Sequence, residues 1–313
     1  MYMFKKLFLI VLSILLIGGL AIGCAPEEEP EEEPEEEVEE VEEEPEEPEE
    51  VDAAEEFGHE IIGIDAGAGI MGATEEALEV YPNLEGYTLV EGSDAAMTAE
   101  LDGRYGDEEW IVVTGWTPHW KFGSYDLKFL EDPEGVYGEA ETINALVREN
   151  FADDHPEAYA FFEELFFSGE HAGEILEMIE ETGEELESAQ EWVDANEDVV
   201  NEWIPEDVDG EGAEITIGYM NWDCSIAMTH TAKVVLEERG YDVEIILADP
   251  GPIYGDIATG DTDAMVSSWQ PVTHGAYMDE YGDQLEDLGP IYEGARIGLV
   301  VPEYVDIDSI EEM

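Results

Sequence analysis

The sequence predicts an α/β fold of two similar lobes with a ligand-binding cleft between them. First, short β-rich runs alternate with helical stretches along most of the chain, a pattern typical of α/β folds with mostly parallel sheets. Second, the pattern repeats internally at an offset of 154 or 155 residues. Third, turns with Trp, Pro and His follow equivalent strands of both copies, and open α/β sheets bind ligands at such strand ends.

The repeat begins with two apolar runs, residues 61–64 and 215–219, in which Gly63 and Gly218 are 155 residues apart. Each run leads into a helical stretch, residues 74–81 and 227–239. Each helix then leads through a Gly-Tyr pair into another strand, and these pairs are 154 residues apart.

A second pair of strands, residues 111–116 and 264–269, ends in Trp116 and Trp269. Each Trp is followed by an X-Pro turn and a histidine, and these histidines, His119 and His274, are again 155 residues apart. Chance similarity of two α/β segments is the alternative, but the near-constant offset favours a true repeat. Residues 149–204 lie between the copies, and their apolar spacing predicts helices with one buried stripe.

The N-terminus predicts a lipoprotein signal peptide over residues 1–23. Lys5 and Lys6 precede an apolar run, and small residues precede Cys24, as at sites where a cysteine is lipidated. An uncleaved membrane anchor is the alternative, and either interpretation puts the body outside the cytoplasm. Residues 24–56 are rich in Pro and Glu, too poor in apolar groups to form a core, and predict a disordered tether.

The formal net charge of −75 is not confined to that tether, because 63 of the 84 acidic residues lie from Phe57 onward, against seven Lys and Arg. Such a surface repels itself unless salt screens it. We infer a halophilic source, and the charge excludes nucleic acid as a partner.

Three tryptophans follow apolar strands in positions that face the predicted cleft: Trp116, Trp222 and Trp269. A single Trp is more often a core residue. Three indoles from two lobes, however, can form a cage for a cation, and a quaternary ammonium fits because it makes no conventional hydrogen bonds.

Opposite this cage, residues 65–71 form a Gly-rich turn between a strand and a helix. Such a turn is also common without any ligand, but a helix N-terminus favours a carboxylate. His274 is a candidate donor to the same carboxylate, a structural histidine being the alternative, and His119 is the weaker candidate.

At this point the chain resembles the glycine betaine-binding proteins of the OpuAC type. The matching blocks are residues 62–71, 114–120, 218–223, 269–274 and 298–302. The resemblance implies a type II periplasmic-binding-protein-like fold in a circularly permuted order. It places the cation in a cage of Trp116, Trp222 and Trp269, and the carboxylate on the backbone amides of Gly69 and Ile70 and the side chain of His274.

The resemblance also implies a substrate-binding protein that delivers glycine betaine to an ABC permease and its ATPase. It is expected to be lipid-anchored at the outer face of the cytoplasmic membrane, with no cofactor, metal or catalytic residue. The first lobe is predicted over residues 57–137 and 301–313, and the second over residues 138–300.

Three other interpretations remain open on the sequence. An extracytoplasmic enzyme is disfavoured because the sequence has no serine-nucleophile motif, metal-ligand cluster or phosphate-binding loop. A ligand sensor with the same lobes is not distinguished from an importer subunit. The ligand can also be choline, carnitine, proline betaine or a sulfonium analogue.

Overall fold

The computed structural model describes residues 52–313, and the strands in this range form one curled mixed sheet. The signal peptide, Cys24 and nearly all of the tether lie outside the described residues. The strands are β1 (Glu60–Ile62), β2 (Thr88–Val90), β3 (Val113–Thr117), β4 (Leu127–Phe129), β5 (Glu141–Arg148), β6 (Glu214–Tyr219), β7 (Asp242–Leu247), β8 (Ala264–Gln270) and β9 (Leu285–Pro302).

Helices flank this sheet and fill the region between the two copies of the repeat. They are α1 (Ala53–Glu56), α2 (Gly69–Val80), α3 (Asp94–Gly106), α4 (Lys121–Ser124), α5 (Phe151–Asp154), α6 (Pro156–Glu164), α7 (Gly169–Thr182), α8 (Glu185–Ala195), α9 (Glu197–Trp203), α10 (Asp223–Glu238), α11 (Pro250–Thr259) and α12 (Gly275–Tyr281). Within residues 52–313, none of them is long and apolar enough to cross a membrane.

The strand order β2-β1-β3-β9-β5-β8-β6-β7 contains the internal repeat. In one half β1 lies between β2 and β3, and in the other β6 lies between β7 and β8, all in parallel pairs. We call β1–β4 with α2–α4 the first lobe, and β5–β8 with α5–α12 the second lobe. This arrangement confirms the predicted α/β fold of two similar lobes.

The expectation of mostly parallel sheets was wrong, because β5 and β9 pair antiparallel with their neighbours. Strand β9 crosses between the lobes without a helical crossover, which a parallel pairing would need. Its first part, Leu285 to Ala295, pairs with β5, and the part from Arg296 to Val300 pairs with β3. The lobe boundaries at 137/138 and 300/301 stay a prediction.

The insert between the copies is helical, as expected from its apolar spacing. On α7 the buried residues Ala172, Ile175 and Leu176 follow the period of one helix face. Trp192 and Trp203 stack with ring centroids 5.9 Å apart and are almost fully buried. They are core residues, as the sequence indicated, and α8, which bears Trp192, packs beside α10 of the second lobe.

The C-terminal residues lie against the first lobe. The amide of Asn83 donates to the carbonyl of Ile310 at 2.6 Å, and Lys128 Nζ pairs with Asp308 at 2.6 Å. The chain end is thereby held beside α2 and β4, far in sequence from both.

Candidate ligand-binding site

The three tryptophans of the predicted cage line one cavity. Trp116 lies on β3 of the first lobe, Trp269 lies on β8 of the second, and Trp222 is the N-cap residue of α10. Each is at most 6% exposed although it reaches the cavity wall. The rest of the wall consists of Ile64, Ala68, Gly69, Ile70, Thr273 and Ile297.

About 290 Å³ at this cavity is free of protein atoms, and part of that space is open to solvent. Within the described chain the cavity wall bears no charged side chain. The free energy for holding a cation here therefore has to come from the indole faces and from more distant charges. An indole face attracts a desolvated quaternary ammonium by about 0.5–2 kcal/mol.

Helix α2 begins at this cavity, and its first two residues are Gly69 and Ile70. The N-cap residue Ala68 makes no side-chain cap within the described residues, and the N–H groups of a first helical turn have no acceptor inside the helix. These amides, at the positive end of the helix dipole, are suited to a carboxylate.

The two lobes touch at Gly69. A Cβ atom there would lie 2.0 Å from the backbone oxygen of Thr273, which belongs to the turn after β8. A glycine is needed because any side chain would collide with this carbonyl, and the close approach brings the amides of α2 to the turn that precedes His274.

His274 is fully buried at the start of α12 and is not one of the residues of the cavity wall. Its Nδ1 accepts a hydrogen bond from the backbone N–H of Trp269 at 3.1 Å, so the ring proton is on Nε2. Nε2 has no partner among residues 52–313. Its ring centroid is 5.7 Å from that of Trp222.

Burial lowers the pKa of His274 to about 3. The ring is therefore neutral at physiological pH, and Nε2–H is an unpaired donor beside the cage. A buried donor without a partner costs free energy unless a ligand or a water molecule accepts from it.

The turn before His274 is held by Glu141, a buried residue that the sequence interpretation missed. Its Oε1 accepts from the backbone N–H groups of Val272 and Thr273, at 2.7 and 2.9 Å, and its Oε2 accepts from the Thr273 hydroxyl. Glu141 is the first residue of β5, so this strand positions the turn.

His119 occupies the equivalent turn of the first lobe but is directed elsewhere. Its Nε2 lies 3.0 Å from Asp94 Oδ1, and it is not part of the cavity wall. Cys224, two residues beyond Trp222, is buried, and burial raises the pKa of its thiol. The thiol is therefore protonated and unreactive at neutral pH.

Comparisons with known proteins show the family to which the chain is similar. Residues 25–195 and 213–313 match the family described as the substrate binding domain of ABC-type glycine betaine transport systems. The chain is 41% identical over 266 residues to the glycine betaine/carnitine transport binding protein GbuC of Listeria monocytogenes, covering 84% of this chain and 88% of the relative.

Two solved structures are similar over about half of this chain. Lactococcal OpuAC in its closed form with glycine betaine matches at 36% identity with a TM-score of 0.45, over 47% of this chain and 57% of that one. The glycine betaine/L-proline-binding protein ProX of Borrelia burgdorferi matches at 38% identity with a TM-score of 0.47, over 49% and 58%. The chain thus spans a little over half the length of these solved proteins.

Proposed function

The chain belongs to the family of substrate-binding domains of ABC-type glycine betaine transport systems, and we propose that it captures glycine betaine for an ABC importer. The family consists of transport binding proteins rather than enzymes. The observation that supports this ligand is the convergence of Trp116, Trp222 and Trp269 from both lobes on one cavity that also receives the N-terminus of α2.

In this proposal the cage surrounds the trimethylammonium group of the ligand. A quaternary ammonium cannot donate a hydrogen bond, so several desolvated indole faces provide its affinity. The apolar wall excludes water, which strengthens each cation–π contact by lowering the local dielectric constant.

The ligand carboxylate is bound by the backbone amides of Gly69 and Ile70 and by the Nε2–H of His274. The unpaired donor of His274 and the uncapped start of α2 support this assignment. Because the cage draws on both lobes, ligand binding favours the closed arrangement of the lobes.

The partners that follow are an ABC permease and its ATPase. We place the protein at the outer face of the cytoplasmic membrane, anchored through a lipid on Cys24, which lies outside the described residues. Carnitine and choline have the same trimethylammonium group, proline betaine has a dimethylated ring nitrogen that is also quaternary, and all three are the alternative ligands.

Calorimetry with glycine betaine, carnitine, choline and proline betaine, in about 1 M salt to screen the surface charge, tests the proposal. We expect glycine betaine to bind, and Trp222→Ala to weaken it more than about tenfold, because losing one face also admits water to the others. Trp110→Ala is the control, since Trp110 packs on Phe57, outside the cavity wall. Failure of every quaternary ammonium to bind would refute the proposal, as would wild-type affinity in a folded Trp222→Ala variant.

A further inference from the structure

A chain of buried hydrogen bonds connects the turn after β3 with the start of α10. His119 Nδ1 accepts from the backbone N–H of Lys121 at 3.1 Å, so its proton is on Nε2. Nε2–H then donates to Asp94 Oδ1 at 3.0 Å. The His119 ring lies 4.7 Å from the ring of Trp116, so this chain of bonds begins beside one wall of the cage.

The other carboxylate oxygen of Asp94 reaches the second lobe. Asp94 Oδ2 accepts from the backbone N–H of Asp223 at 3.3 Å. Asp223 is the first residue of α10, and the residue before it, Trp222, makes no side-chain cap within the part of the chain that is described. A carboxylate at a helix N-terminus is stabilised by the helix dipole and by the free N–H groups. Asp94 therefore caps, from the first lobe, a helix of the second.

The charge of Asp94 is balanced inside the protein. Lys121 is fully buried, and its Nζ lies 4.1 Å from the centroid of the Trp116 ring. Burial lowers the pKa of Lys121 to about 8, so the ammonium persists at neutral pH. Burial raises the pKa of Asp94 to about 6, which leaves the carboxylate mostly ionised there.

The carboxyl groups of Asp94 and Asp223, together with His119, lie close enough to one another to ligate a metal ion. However, the buried ammonium of Lys121 already supplies a positive charge to Asp94 and Asp223. His119 is also committed at both ring nitrogens, since it accepts from Lys121 N–H and donates to Asp94. Lys121 therefore supplies the positive charge that a metal ion would bring to this cluster, although Lys121 Nζ and Asp223 Oδ2 have no hydrogen-bond partner among residues 52–313.

We propose that Asp94 is a positioning residue for the ligand site. Held in orientation by His119, its carboxylate captures the start of α10 when the lobes close, and this places Trp222 against the side of the cage formed by Trp116. The inference rests on the proposed function, because it assigns Asp94 a role in completing the cation cage. Asp94 does not touch the ligand and acts through the backbone of the residue that follows Trp222.

Asp94→Asn removes the charge and replaces one acceptor oxygen with a donor that faces either His119 Nε2–H or Asp223 N–H. We expect glycine betaine to bind roughly ten- to a hundredfold more weakly, the range for losing a hydrogen bond to a charged group. The loss should lie in faster dissociation rather than slower association, since the contact forms only on closure. Stopped-flow tryptophan fluorescence and calorimetry measure both quantities.

A pair of variants at His119 separates positioning from simple attraction between Asp94 and the ligand cation. His119→Leu keeps the charge of Asp94 but removes the donor that orients it, and should also weaken binding. His119→Gln supplies a side-chain N–H near the position of Nε2 and should restore most of the affinity. Asp107→Asn removes one charge from the exposed end of the same helix and should change affinity by no more than about twofold.

Circular dichroism and ligand-free melting show whether each variant folds. If Asp94→Asn does not fold, the two His119 variants test whether Asp94 has a positioning role. Wild-type affinity and dissociation rate in Asp94→Asn would overturn the proposal and leave the cage intact. A His119→Gln variant as impaired as His119→Leu would also overturn it. If the wild-type protein binds no quaternary ammonium, the proposed function is refuted instead. Binding by the wild type is therefore measured before the variants.

Discussion

At the scale of the residue, the state of His274 determines what its ring can offer a ligand. Its Nδ1 is occupied by the N–H of Trp269, and burial keeps the ring neutral, with a pKa of about 3. The ring is then a hydrogen-bond donor that brings no positive charge near the cation cage. A protonated histidine would bind a carboxylate more strongly but would also repel the ammonium group of the same ligand.

His274→Asn should therefore weaken the binding of glycine betaine and leave the affinity for choline nearly unchanged. The amide oxygen of the shorter Asn side chain can still accept from Trp269 N–H, but the donor at Nε2 is lost. We expect a loss of roughly tenfold for glycine betaine, because the lost bond has a charged acceptor. Choline lacks the carboxylate and is the internal control in the same calorimetric titration. An equal loss for both ligands would show that His274 supports the cage structurally and does not bind the carboxylate.

The site residues differ in how well the sequence could indicate them. Trp116, Trp222 and Trp269 stood out because indoles at equivalent strand ends are rare and have a distinctive chemistry. Asp94 and Glu141 did not, because a carboxylate has no distinguishing value among 84 acidic residues. Their partners, Asp223 and Thr273, are also more than 100 residues away in the chain, so no local spacing reveals the contacts.

At the scale of the element, helix α2 and the turn after β8 bring the lobes into contact. The repeat predicted both elements, since each has a counterpart in the other copy: α10 follows β6 as α2 follows β1, and a turn with a histidine follows β3 as well as β8. The sequence did not predict that β9 runs unbroken from Leu285 to Pro302 through both halves of the sheet. Its pairing changes from β5 to β3 along its length, and a choice between partners distant in sequence depends on tertiary packing rather than local pattern.

Gly69→Ala should impair closure without unfolding either lobe. The new Cβ would lie 2.0 Å from the Thr273 oxygen, and backbone at this position cannot move aside as a side-chain tip would. We expect severely weakened glycine betaine binding and a larger radius of gyration by small-angle X-ray scattering at high ligand concentration.

Gly72→Ala is the matched control on the same helix. Apart from its chain neighbours and the backbone of its own helix, no described atom lies within 4 Å of a Cβ there, and alanine in a helix is favoured over glycine by about 1 kcal/mol. This variant should bind normally and melt slightly higher than the wild type. Normal binding by Gly69→Ala would mean that the approach of α2 to the turn is not needed for ligand capture.

At the scale of the whole molecule, charge opposes compaction. Several of the seven Lys and Arg from Phe57 onward already form ion pairs or are buried, and Arg148, for example, pairs with Asp154 and Asp263. Most carboxylates have no such partner among residues 52–313. The acid excess could be read from composition alone, but composition does not show where like charges face each other.

The structure locates one such place in the groove between α7 and α8. The exposed residues Glu177, Glu181 and Glu191 line this groove together with Glu174, and within the described chain no Lys or Arg lies in its wall. Glu174 is separately committed, since it accepts from the indole N–H of Trp192 at 3.0 Å. The other three carboxylates repel one another with only solvent and salt to screen them.

The melting temperature of the protein should therefore rise steeply with salt, and the groove should account for a measurable part of the rise. Screening lengths fall from about 10 Å at 0.1 M to about 3 Å at 1 M ionic strength, so repulsion between these carboxylates largely vanishes over that range. A variant with Glu177, Glu181 and Glu191 all changed to Gln should melt above the wild type at low salt and match it at molar salt.

Sucrose at equal osmolality is the control, because it favours compact states without screening charge. A melting temperature that is flat from low to molar salt would remove the argument for a halophilic source. A stabilisation of the triple variant that persists undiminished at high salt would show that the gain comes from local packing or helix propensity, since neither depends on ionic strength.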